Sequence, residues 1–63
     1  MTDIITASDK LSCVQRELKM RRQLYPRWVE EGKMSEGAAA HQLACMEDIV
    51  RDYRAAAEKE RLL

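Results

Sequence analysis

Proline and glycine occupy one short window of this 63-residue chain, at Pro26, Gly32 and Gly37. Proline opposes a helix interior by about 3 kcal/mol and glycine by about 1 kcal/mol relative to alanine. The stretches on either side are rich in Ala, Leu, Met, Glu, Lys and Arg and contain neither residue. No run alternates with period two, and the β-branched residues are scattered, so strand signals are absent. The expectation is an all-α chain, a two-helix antiparallel hairpin with a short turn helix, forming one domain over residues 1–63. At this length a lone hydrophobic core is marginal.

Residues 1–5 read as a lead-in. Thr6 followed by Asp9 has the form of a helix cap, a side-chain oxygen for the free amides and an acid in the first turn. Ala7, Leu11, Val14, Leu18 and Tyr25 then form a heptad-like stripe, with Arg21 at the one seam position that is not apolar. The first helix is expected over 7–24. Tyr25-Pro26 should end it, because the residue before proline is pushed out of the α region. Pro26 could then open a single further turn to Glu31, with Gly32 as a left-handed stop. Within the 25–34 turn Met34 acts as a staple toward Ala39, and Ser35 caps the next helix. That second helix is expected over 36–60, with a seam of Ala39, Leu43, Met46, Val50, Tyr53 and Ala57. Glu47 and Arg51 are spaced for an i,i+4 ion pair.

Each helix carries more apolar surface than one partner covers. Cys13, Met20 and Leu24 form a second stripe on the first helix. Ala38, Cys45, Ile49 and Ala56 widen the face of the second to roughly 140°. The expected consequence is a homo-oligomeric helical bundle, a dimer in its simplest form, with Cys13, Met20, Leu24, Cys45 and Ile49 at the interface.

Eleven acids balance eleven bases, so no overall field attracts nucleic acid or an anionic membrane. No apolar run approaches the ~20 residues of a membrane span, and the opening MTDIITASD lacks the form of a signal peptide. Cys13 and Cys45 then read as reduced, buried thiols, and the protein as cytoplasmic. His41 and Cys45 have a metal-compatible i,i+4 spacing, and Cys13 could add a third ligand, but the set is incomplete and no metal is expected. Neither a glycine-rich phosphate loop nor a Gly-x-Ser-x-Gly turn occurs, and the single histidine has no evident nucleophile beside it. No catalytic residue and no cofactor is expected.

Charge is uneven locally: five bases stand against one acid from Arg16 to Arg27. Arg21, Arg22, Tyr25, Arg27 and Trp28 form the candidate binding cluster. Arginines beside aromatic faces hold phosphates by charge and bases by stacking, or make a protein–protein hot spot. The bland alternative pairs the arginines with Glu30 and Glu31.

The run M-R-R-x-x-Y-P-R-W-V-x-x-G-K-M-S, followed by A-x-x-x-L-x-x-M-x-x-I-x-x-D-Y, resembles short uncharacterised proteins of proteobacterial phages and prophages, over about residues 16–53. The resemblance implies phage origin, hence host cytoplasm, and no particular activity. The leading expectation is a phage accessory protein, non-catalytic, that binds a host or defence component stoichiometrically as inhibitor or adaptor. A nucleotide- or cyclic-nucleotide-sequestering oligomer is the first alternative, and a small nucleic-acid-binding accessory factor the second.

Overall fold

A computed structural model describes residues 4–63. Helix α1 spans Ala7–Glu30 and helix α2 spans Glu36–Leu62, and the two pack against each other along their length. No strand occurs among the described residues. Of the expected lead-in, Ile4 and Ile5 are non-helical and exposed; residues 1–3 lie outside the described residues.

Local chemistry sets three of the four helix ends as the sequence reads. At the start of α1 the Asp9 amide donates to the Thr6 hydroxyl at 3.1 Å, and the Thr6 amide donates back to the Asp9 carboxylate at 3.0 Å. That reciprocal pair satisfies two otherwise free donors. It also holds the Asp9 carboxyl below its ordinary value of 3.8, chiefly through the Thr6 backbone bond. Since the folded-state pKa is lowered, this cap's contribution is complete above the ordinary value and is lost as pH falls through the folded one. The Ser35 hydroxyl accepts from the Ala38 amide at 3.0 Å and opens α2. Gly32 ends α1 at φ 77°: its amide donates to the Val29 carbonyl and the Lys33 amide to the Trp28 carbonyl. This is the Schellman arrangement, which glycine favours because no Cβ opposes the left-handed turn.

The expected break at Tyr25-Pro26 does not occur. Helix α1 runs through Pro26 to Glu30 as one piece, so the loop shortens to residues 31–35 and no separate turn helix forms. Proline removes the amide that would bond the Arg22 carbonyl. Pro26 is exposed, which leaves that carbonyl to water. Downstream packing offsets the loss: Tyr25 is buried, its ring stacks on Trp28, and Trp28 and Val29 are half-buried. The pre-proline preference is a local bias, and tertiary burial overrides it here.

Every apolar seam position anticipated from the spacing is buried or half-buried. The core, however, is thin. Leu18, Met46 and Val50 form its centre, with Leu11, Val14 and Leu43 packed against it, and no side chain among the described residues is completely buried. A contact between the helix ends was not legible beforehand: the Ala7 amide donates to both Glu60 carboxylate oxygens at 3.1 Å. An acid from the last turns of α2 thus sits on the positive end of the α1 dipole and ties the open end of the hairpin.

Candidate binding surfaces of the hairpin

The molecule is a slab, with principal extents of 46 × 26 × 12 Å, and its two broad faces differ in chemistry. The Cys13, Met20, Leu24 stripe lies roughly 120° from the centre of the α1 seam, at 100° per residue. The Ala38, Cys45, Ile49, Ala56 stripe lies roughly 100° from the α2 seam in the same rotational sense. Because the helices are antiparallel, equal senses place both stripes on one side of the slab. Lys10 over the Tyr53 ring, 5.8 Å from its centroid, belongs to that side as well.

On this apolar face Met20 is 56 % exposed and Ile49 37 %, while Leu24 and Trp28 are half-buried. Cys13 and Cys45 are exposed free thiols, not the buried pair expected, because each sits outside the seam on a helix with no second neighbour. The Cys45 Sγ lies 3.6 Å from the His41 Nε2. No group of three or more metal-ligating side chains gathers among the described residues.

The opposite face is charged. A shallow groove of about 410 Å³ there is lined by Gln15, Leu18, Arg22, Glu47, Val50, Arg51 and Arg54. Arg22 reaches across the groove to Glu47 at 2.9 Å, and Arg51 pairs with Asp48. The anticipated Glu47–Arg51 pair is therefore not made. Glu47 stands on the flank of α2 facing α1 and takes the cross-helix arginine, leaving Arg51 to the carboxylate one turn back.

Of the five residues of the turn cluster, Arg21, Tyr25 and Trp28 share one side of α1, while Arg22 and Arg27 point away from them. Arg21 bonds Glu17 at 2.9 Å toward the apolar face, and that bond raises the pKa of its guanidinium while partial desolvation opposes the rise. Arg22 belongs to the charged face. Tyr25 is only 7 % exposed, with its ring stacked on Trp28 at 5.8 Å between centroids and 25° between planes. Arg27 lies on the outer edge of α1, where it lines a shallow groove of about 290 Å³ with Met20, Gln23 and Leu24. Neither Glu30 nor Glu31 pairs with these arginines; Glu31 pairs with Lys33 at 3.2 Å. Arg27 is exposed and makes no ion pair among the described residues.

Cluster residues two or three apart along a helix diverge by 160–60° around it, roughly speaking, so a dense run of arginines in sequence becomes a divided set in space. Of the bases in the stretch 16–27, Arg16, Lys19, Arg22 and Arg27 share an arc of roughly 140° running from the charged face to the outer edge of α1, and Arg21 stands apart from them. Among the described residues no helix is long and apolar enough to cross a membrane. No protein-family model matches the chain, and no curated protein or solved structure matches it either.

Proposed function

We propose that this chain is a non-catalytic accessory protein that works by stoichiometric binding to another protein, an inhibitor or adaptor for a host or defence component. The observation that carries the reading is the edge patch of Arg27 with Met20, Gln23 and Leu24. A guanidinium with no ion partner among the described residues stands beside the exposed Met20 and the half-buried Leu24. An arginine flanked by apolar surface is the composition of a binding hot spot, and it suits an acidic residue on the partner. Phage origin and action in the host cytoplasm are part of this proposal and rest on the residue 16–53 motif.

The geometry gives less to the two other readings. A nucleotide would need an aromatic face to stack on, and Tyr25 is buried with its ring already against Trp28. Nucleic acid would need a basic surface free to meet phosphates, and on the side that Arg22 and Arg51 share, Glu47 and Asp48 already pair with them.

Capture from an infected-host lysate tests the reading, using wild type and Arg27→Ala side by side. The expected result is one protein retained at a fixed ratio by wild type and lost by Arg27→Ala, whose helicity and melting temperature stay unchanged. Losing such a contact costs about 2 kcal/mol, some thirtyfold in affinity. Retention of the same protein by Arg27→Ala would place the contact elsewhere. Nucleotide extracted from the recovered wild-type protein would favour sequestration instead.

A further inference from the structure

The apolar face is too large and too little used for a chain that works alone. One layer of helices, 12 Å through its Cα atoms, has nothing on either side of it, whereas stable domains stack two layers around a core. The accessible surface is 5149 Å². A compact monomer of 7.3 kDa is expected to expose about 4,200 Å². The excess, on the order of 1,000 Å², is close to the ~800 Å² that each partner buries in a standard interface. The broad face itself, 46 by 26 Å, is large enough to supply it.

Charge on this face then selects the occupant. Glu17 and Arg21 are the ion pair at its middle, one helical turn apart on α1, with exposures of 47 % and 31 %. A two-fold axis lying across the helices near Lys19 brings Arg21 of one copy onto the partner's Glu17, and the reverse. The same axis, carried to α2 near Glu47, sets Cys45 against the partner's Ile49 and Ala38 against the partner's Ala56. It also brings Lys10 toward the partner's Trp28. An axis running along the helices would instead set Glu17 toward the partner's Asp52, a like charge in line with Cys45, Ile49 and Ala56 on α2.

We infer that a second copy of this chain covers the apolar face, giving a four-helix bundle in which α1 packs antiparallel on the partner's α1 and the two turns lie at opposite ends. The ion pair of each copy joins an alternating ring of four charges at the dimer centre. This accounts for Arg21 at a seam position where leucine would otherwise serve: the guanidinium orients the second layer, in the way a single polar core residue fixes register in coiled coils. Met20 and Leu24 belong to both surfaces while Gln23 and Arg27 remain at the rim of the dimer, and the two readings are told apart by their tests, partner capture with Arg27→Ala for one and chain mass for the other.

Two single variants of the full chain supply the test. Arg21→Glu leaves two acids at the centre of the face, and Glu17→Arg leaves two bases. In both the intrahelical pair is gone, so any recovery on mixing comes from between chains. Wild type should sediment at twice 7.3 kDa at micromolar concentration. Each variant alone should lose association by about a hundredfold or more, and an equimolar mixture should recover both the dimer mass and the wild-type helicity. Wild type at the monomer mass, either variant dimerising as wild type does, or a mixture that stays dissociated would each overturn the arrangement. Arg54→Glu, on the charged face, is the control and should leave the dimer mass unchanged; loss of the dimer there would move the interface to the other side.

Discussion

The two broad faces of this hairpin are made from the same two helices and use them in opposite ways. On the charged face the apolar side chains that line the groove, Leu18 and Val50, belong to the seam, and guanidinium and carboxylate groups close over it, Arg22 to Glu47 and Arg51 to Asp48. On the other face Met20, Ile49, Cys13 and Cys45 stand in the open. Charged groups on a surface are content in water, whereas exposed apolar area is the quantity that association removes from it. The difference teaches which side of a one-layer protein can stay in water and which carries the apolar area that a second layer would remove from it.

The seam between the faces should give the largest effect when disturbed. Leu18 is 6 % exposed and touches the centre of the core with Met46 and Val50. Leu18→Ala should cost about 2–5 kcal/mol, a large share of what a domain this size can hold. Circular dichroism at 25 °C should show most helicity lost. Wild-type helicity and melting temperature in that variant would mean that neither face is defined by this seam.

Pro26 belongs to the charged side, where water reaches the Arg22 carbonyl. Pro26→Ala restores a donor to that carbonyl and relieves the ring from α1. It should stabilise the hairpin by up to about 3 kcal/mol, read as a rise in melting temperature. A fall would show that the proline ring packs usefully in a way its exposure does not suggest.

These two positions also mark what the sequence could and could not reveal. The seam was legible because burial follows the 3.6-residue period, and the caps at Thr6, Ser35 and Gly32 were legible because each rests on neighbouring residues. Pro26 was misleading: its local bias against helix is real, but the burial of Tyr25 and its stack on Trp28 depend on where α2 lies. The binding cluster dispersed for a related reason. Closeness in sequence made Arg21, Arg22 and Arg27 look like one patch, while the helix turns them to different sides. Glu60 gave no signal at all, since its role on the Ala7 amide needs both ends of the chain to meet.

That end contact is the next test of the comparison. It ties the helices together independently of either face. Glu60→Gln keeps the side-chain length but weakens the charge on the α1 dipole, and should cost about 0.5–1 kcal/mol, measured by urea unfolding. A much larger loss would mean that the open end carries stability assigned here to the seam.

The smallest effects are the most discriminating, because each face holds an ion pair that can be compared with one on the other. Arg22–Glu47 joins α1 to α2 on the charged face, with side-chain exposures of 55 % and 44 %. Arg21–Glu17 lies within α1 on the apolar face, at 31 % and 47 %. In an isolated hairpin both are surface pairs, worth about 0.2–1 kcal/mol by double-mutant cycle and weakened by salt. Alanine cycles at the two sites, repeated over a range of protein concentration, separate the faces. The Arg22–Glu47 coupling should not depend on concentration, because both groups belong to one chain and stay wet. The Arg21–Glu17 coupling should grow as chains associate, since desolvation by a second layer strengthens each interaction and adds the partner's charges to it. It should also become the less salt-sensitive of the two, being shielded from counterions. Equal couplings at every concentration would make the faces electrostatically equivalent, and the apolar side would then be an exposed surface with no layer to meet.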